Sequence, residues 1–429
     1  GAYILIYLAI VLLIGIPVML SELTIGRGAQ ANAIDSYGKL GHPGYKWVGW
    51  FGVIVAFIIT SYYCHVGGWV LRYVASYATE ATKVYADPLG YFYALLGYNA
   101  VTGETWFPLT AVIFAGIFMG ITCFIIVKGV ESGIERFNKI GMPALFVILI
   151  ILLIRALTMP GAGEGLQYML IPDWSKVTFS TVLSALGQAF FSLSLGMAIM
   201  VTYGSYVKKE ENLAKNAAII CGMDTLVALI AGFIIVPAVF ATLGAEGVGK
   251  GAGFAFSSLA GVFQQMPGGQ FFGILFYMLL LFAALTSCIS LVEGVVAFAT
   301  ERFGWKRTPT TIILCVVMFL LGTIYTCSQA AFDIKGIWFD FKNGLTTPIF
   351  GDFMEFLTDR LMIPVCALGS CLFVGWAWKP QNAIREIELD GKPFRRKKIF
   401  NFMIRYLCPV FAAIILVSSV ANALGWISM

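Results

Sequence analysis

The sequence predicts an all-α polytopic membrane protein, and three observations carry that prediction. Apolar runs of about 20 residues or more, enough to cross a hydrocarbon core of about 30 Å, recur along the whole chain. The 429 residues are 59% hydrophobic and 12% charged, with a mean hydropathy of +0.86, against roughly 25% charged residues in an ordinary soluble domain. No stretch alternates with period two between closely spaced turns, as the strands of an outer-membrane barrel do. Lipid offers the backbone no water, so each apolar run must satisfy its own hydrogen bonds as a helix.

Ten spans follow, at 2–26, 47–79, 108–128, 140–159, 178–207, 213–243, 269–300, 309–328, 350–378 and 399–426, in one transmembrane domain covering 1–429. Lysine and arginine orient them, because they accumulate in cytoplasmic loops. Of 28 such residues, counting those near a span end (Lys128, Arg155, Lys215) with the adjoining loop, 19 belong to loops one, three, five, seven and nine and six to the even loops; Arg72, Arg360 and Arg405 fall deeper within spans. Odd loops are therefore cytoplasmic and both chain ends face outward. An outward start with no Met, basic stretch or signal-peptide cleavage site leads to the expectation of a preceding helix that would restore a cytoplasmic N-terminus.

The net charge of +5 comes largely from loop nine, where Arg395, Arg396, Lys397 and Lys398 precede the last span. Such a cluster reads as a topology anchor against anionic lipid of the bilayer rather than a nucleic-acid site. The nine cysteines lie in or beside spans with no CxxC pair, and His42 and His65 are far apart in sequence, so no metal-ligand cluster is present. No catalytic constellation is found, and an enzyme is not expected.

Two spans break the pattern. In span five the stretch from Gly187 to Met197 puts glycine and serines at mid-membrane. That composition fits a discontinuous helix whose freed backbone groups face an ion and a carboxylate, and equally small residues at a helix contact. In span seven Ala283, Thr286, Ser287, Ser290 and Gly294 share one helical face. Hydroxyls and a carbonyl suit a hard cation such as sodium; they also serve as glue between helices. Intramembrane acids are costly and mark function by default, which singles out Asp224, Glu22 and Glu293. Glu355 and Glu301 lie at span ends, where a solvated carboxylate is an equal reading.

At these residues the chain resembles the neurotransmitter:sodium symporter family, in its bacterial amino-acid transporter branch with the LeuT fold. Gly187 to Tyr206, GQAFFSLSLGMAIMVTYGSY, resembles the family's unwound sixth helix, and AALTSCIS from Ala283 to Ser290 its sodium-binding eighth. GIPVMLSELTIGR in span one, SYYCHVGGW at Ser61 to Trp69 and GAGFAFSSLAGVFQQMPGG in loop six resemble the second helix, the third helix and the outer lid, 251–268. The resemblance covers essentially the whole chain. It implies a LeuT-type inverted-repeat bundle whose ten spans match family helices two to eleven, lacking the first.

The resemblance further implies two sodium ions, one held by Thr286, Ser287 and the Ala283 carbonyl, the other by Ser192 and Asp224. Many members carry Asn at the position of Asp224, so an ionised Asp adds a negative charge there. Tyr63 would donate to the substrate carboxylate, and Ile59, Phe191, Ser192, Ser194, Met197, Ser290 and Leu291 would line a pocket for a hydrophobic or aromatic L-amino acid. Gln188, Phe191 and Glu355 would form the outer gate, Glu301 with Tyr206 the inner one, and Glu22 would hold backbone donors of the broken helices. Ala228 replaces the serine or acid that family members use at the chloride position, which leans towards chloride independence.

The expected function is therefore sodium-coupled symport of such an amino acid by alternating access, across the plasma membrane and specifically a bacterial inner membrane. A proton-coupled amino-acid transporter, with Asp224 carrying the proton, and a membrane receptor that binds an amino acid without moving it are the competing readings. Nothing in the sequence assigns an oligomeric state.

Overall fold

The structure is a computed structural model that describes residues 1–244, 253–335, 338–340, 344–346, 349–424 and 426. Among them, nine helices are long and apolar enough to cross a membrane: Ala2–Ala29, Pro43–Thr79, Leu109–Val127, Val130–Leu157, Leu213–Leu243, Gly269–Phe303, Arg307–Ala331, Phe350–Ala377 and Lys397–Asn422. In chain order these are spans one to four and six to ten. Span five is two shorter helices, an outer half Phe179–Ser192 and an inner half Ile199–Tyr206.

The break has a local cause. Ser194, Gly196 and Ala198 adopt φ of 55°, 73° and 62°, a left-handed region that L-residues with a side chain enter only at a cost. Alternate residues in that region cannot continue a right-handed helix. Gly196 is also held by space, since a Cβ there would lie 2.6 Å from the Ile363 carbonyl oxygen of span nine. The outer half begins with a reciprocal cap, in which Thr178 Oγ1 accepts from the Thr181 amide and Thr181 Oγ1 from the Thr178 amide.

Spans two and seven share the most extensive helix–helix packing among the described residues. The inner half of span five lies on the inner half of span one. This approach depends on two facing glycines: a Cβ on Gly26 would lie 1.9 Å from the Val201 carbonyl oxygen, and one on Gly204 would lie 2.6 Å from that of Leu23. Without a hydrophobic drive between helices in lipid, such close backbone contact is what holds them. Apolar side chains such as Leu12, Phe124, Ile150 and Val417 remain exposed on the outside of the bundle, as a lipid solvent requires.

Over loop six lie two short helices, Gly253–Phe256 and Ser258–Gln265. They fall within the stretch read as an outer lid, of which residues 251 and 252 lie outside the described residues. The Tyr277 hydroxyl donates to the Ala255 carbonyl at 2.7 Å and ties this segment to span seven. Loop eight contains a small antiparallel hairpin, Trp338–Asp340 against Gly344–Thr346, a strand pair that the sequence reading did not anticipate.

Candidate functional site

The break in span five is the origin of the site. A helix that stops at mid-depth leaves carbonyls at the end of its first half and amides at the start of its second without helical partners. One amide in the gap is met by a buried side chain. The Gly196 amide donates to Glu22 Oε1 at 2.9 Å. Glu22, from span one, is 1% exposed, and its other oxygen has no hydrogen-bond partner among the described residues. Tyr37 and Ser370, whose hydroxyls lie 3.3 Å apart, line the same small cavity beside Glu22. A carboxylate from one span is thus inserted into the backbone gap of another.

At the last residue of the outer half, Ser192 Oγ donates to Asp224 Oδ2 of span six at 2.6 Å. Asp224 has no ion pair with a lysine or arginine among the described residues, and the neighbouring Thr225 Oγ1 is buried without a partner. The set therefore consists of a carboxylate and a hydroxyl, with no protein cation among the described residues. That composition fits a hard cation that takes oxygen ligands.

On span seven, Thr286 Oγ1 donates to the Ala283 carbonyl at 2.9 Å and Ser290 Oγ to the Thr286 carbonyl at 3.1 Å. With their protons directed back along the helix, these hydroxyls keep lone pairs available to accept. Ser287 is exposed on the same face, and the Tyr63 hydroxyl of span two meets its side chain. Tyr203, on the inner half of span five, donates to Ser290 Oγ at 3.1 Å. The structure brings Ser192 to Asp224, Ala283 to Thr286, and Tyr63 to Ser287. Of the remaining pocket residues, Ile59, Met197 and Leu291 are buried, Ser194 and Ser290 half-buried, and Phe191 exposed.

The residues read as gates have specific partners. Glu355 accepts from the Tyr325 hydroxyl at 2.8 Å, and Gln188 is exposed at the outer half of span five. At the inner side, Glu301 Oε2 accepts from the Asn32 amide at 2.6 Å, whereas Tyr206 donates to Glu293 Oε1 at 2.8 Å. Glu301 and Tyr206 thus bond to separate partners rather than to each other. Beside Glu301, Asp35 joins Lys46 at 3.1 Å and Arg302 at 3.2 Å. Burial raises the Asp35 carboxyl, but Asn32, Lys46 and Arg302 outweigh it and hold the group below its ordinary range.

Two polar contacts were missed by sequence reasoning. Glu293 is 0% exposed and binds Arg307 of the next span through both guanidinium NH2 groups, one at 3.2 Å and one at 2.5 Å. An arginine at the start of span eight reads as a loop charge, and only the fold of spans seven and eight delivers it to the acid. Asp359, four residues after Glu355, accepts from the Tyr62 hydroxyl at 3.3 Å and lines a cavity of about 300 Å³ with Arg360, Ser180, Ser184 and Ser419. Its signal was the i, i+4 spacing of two acids in span nine, within a π-helical stretch at Phe356–Met362.

Comparison with known proteins bears on this geometry. The sequence pattern described as the sodium:neurotransmitter symporter family matches residues 1–84 and 96–425. A protein of Haemophilus influenzae described as an uncharacterized sodium-dependent transporter is 34% identical over 430 residues, covering 98% of this chain and 90% of its own length. A Bacillus subtilis protein of the same description, YhdH, is 33% identical over 422 residues, covering 97% and 89%. Among solved structures, that of MhsT in complex with L-phenylalanine superposes with a TM-score of 0.85 at 37% identity, covering 98% of this chain and 91% of MhsT.

Proposed function

The chain belongs to the sodium:neurotransmitter symporter family and is a sodium-dependent transporter, and from that premise we propose that it carries a hydrophobic or aromatic L-amino acid into the cell together with sodium by alternating access. The observation that carries the proposal is the Ser192–Asp224 contact at the helix break. A mid-membrane carboxylate without a protein cation requires a counter-charge, and a sodium ion there would also stand at the helix break, where a substrate can be received. A second ion would take the oxygen face of Ala283, Thr286 and Ser287. The inner half of span five offers its N-terminal amides to a substrate carboxylate, joined by the Tyr63 hydroxyl. Ile59, Phe191, Met197 and Leu291 then favour an apolar side chain, in keeping with the L-phenylalanine bound to MhsT.

Energetics are adequate for concentration. Each sodium moving inward gains about 2.3 kcal/mol per 100 mV and about 1.4 kcal/mol per tenfold gradient. Two ions supply roughly 7 kcal/mol, enough for a substrate gradient on the order of 10⁵. With Asp224 supplying a fixed negative charge and Ala228 no ligand, chloride is not required.

The test is uptake by the full-length protein in proteoliposomes, with sodium, proton and chloride gradients imposed separately and labelled phenylalanine or leucine as substrate. Accumulation that follows the sodium gradient and ignores external chloride is the expected result. Accumulation driven by a pH gradient in sodium-free buffer would replace sodium with a proton on Asp224. Binding without accumulation under any gradient would make the protein a receptor.

A further inference from the structure

The inner ends of spans nine and ten form a surface that the transport reading leaves unused. Three of the four consecutive cations at its edge, Arg395, Arg396 and Lys398, are exposed and make no ion pair among the described residues; Lys397 pairs with Glu388 at 2.8 Å. One side of the helix below them is apolar and aromatic. Phe402, Tyr406 and Trp376 are 55%, 50% and 55% exposed. Their rings form a row, with centroids 5.8 Å apart from Phe402 to Tyr406 and 6.0 Å from Tyr406 to Trp376.

Arg405 lies in the π-helical turn Met403–Leu407, beside the same Gly375–Trp376 end of span nine that carries the aromatic row. It stands seven residues further into the span than Lys398. Its Nε donates to the Gly375 carbonyl at 3.1 Å, and the Trp376 Nε1 donates to the Arg405 carbonyl at 3.1 Å. The two helix ends are tied reciprocally, which fixes the arginine while leaving both of its terminal NH2 groups without a protein acceptor among the described residues. A guanidinium inside a span and without an acid partner is costly unless it reaches an anion.

We propose that this surface, formed by Arg395, Arg396, Lys398 and Arg405 above the Phe402–Tyr406–Trp376 shelf, is a binding site for an anionic phospholipid of the cytoplasmic leaflet. The phosphodiester lies between the exposed cations and Arg405, and an acyl chain runs along the aromatic shelf. Charge complementarity selects the headgroup, and continuity with the lipid-facing surface selects a lipid over a soluble anion. Aromatic rings at this depth are the side chains that settle at a bilayer interface. Each cation near an anionic membrane surface is worth about 1 kcal/mol, or roughly fivefold in binding. Removing the three exposed ones should weaken retention on the order of a hundredfold.

The experiment uses the full-length protein in detergent, with phosphatidylglycerol or phosphatidylcholine added, and reads lipid retention by native mass spectrometry together with the shift in Tm. Wild-type protein is expected to retain phosphatidylglycerol over phosphatidylcholine and to gain several degrees. Arg395→Gln/Arg396→Gln/Lys398→Gln and, separately, Arg405→Gln lose both effects, Arg405→Lys keeps most of them, and the inner-face control Lys128→Gln/Lys139→Gln keeps them fully. Three results would overturn the proposal: equal retention of the two lipids by wild type, undiminished phosphatidylglycerol retention in both Gln variants, or an equal Tm gain from a short DNA oligonucleotide. Sodium-driven uptake by the same variants in phosphatidylcholine vesicles distinguishes loss of the lipid from loss of transport.

Discussion

Ser192 and Asp224 meet at 2.6 Å where a helix stops, and the chemistry of that contact sets the first two predictions. Asp224→Asn keeps size and a donor–acceptor pair but removes one negative charge. A unit charge about 4 Å away is worth about 4 kcal/mol at an effective dielectric constant near 20. The amide oxygen recovers part of that, so sodium affinity should fall by at least about tenfold, or uptake should acquire a chloride requirement. Unchanged sodium and chloride dependence of transport in Asp224→Asn would remove the carboxylate from the ion site. Thr286→Val with Ser287→Ala nearly preserves volume while deleting two oxygens from the face of span seven. Sodium-dependent uptake should be abolished with expression near normal, as read by labelled amino-acid flux against membrane abundance; retained sodium dependence would exclude this face as a ligand set.

At the scale of an element, span five shows how backbone conformation makes the site. Gly196 has both a positive φ of 73° and the Ile363 carbonyl oxygen 2.6 Å from where a Cβ would be. Gly196→Ala should therefore destabilise the protein by about 1–3 kcal/mol and disturb the amide that Glu22 holds. Gly187, nine residues earlier within the outer half, has nothing within 4 Å of a built Cβ, and Gly187→Ala should be neutral or stabilising by up to about 1 kcal/mol. Thermal unfolding of the two purified variants separates them, and equal Tm values would refute the account of the break. The inner half depends on another packing device, the facing Gly26 and Gly204, which lets it lie directly on span one.

For the whole molecule, Arg27 is the residue that joins distant segments at the inner face. It is 0% exposed, its Nε donates to Glu386 Oε1 at 2.9 Å, and its terminal nitrogens donate to the carbonyls of Glu211 and Glu386. The end of span one, the loop after span five and the loop after span nine are thereby tied together. Breaking one side of a buried ion pair costs about 3–5 kcal/mol, because the remaining charge stays buried without its partner. Arg27→Gln should cost that much stability, and Glu386→Gln on the Arg27→Gln background should cost little more. Additive losses in such a double-mutant cycle, measured by thermal or denaturant unfolding, would show that the two residues act independently.

What the sequence by itself determined follows from local physics. Hydropathy over about 20 residues is a property of a continuous segment, so the polytopic helical class was legible without contacts. Motifs such as GQAFFSLSLGMAIMVTYGSY and AALTSCIS pointed to the family because backbone freedom and oxygen spacing along one helix are also local. Within Gly187 to Met197, however, composition allowed either a broken helix or a packed one, and the structure placed the interruption between Ser192 and Ile199. The tertiary structure alone decided which charges meet. Glu293 looked like an unpaired intramembrane acid until the turn between spans seven and eight brought Arg307 to it. Glu22 reaches Gly196 across 174 residues and Arg27 reaches Glu386 across 359, distances at which helix periodicity carries no information. The partner of a buried charge is set by how helices cross and which backbones come close enough, as Gly26 and Gly204 do, and that is a property of the assembled bundle rather than of any one span.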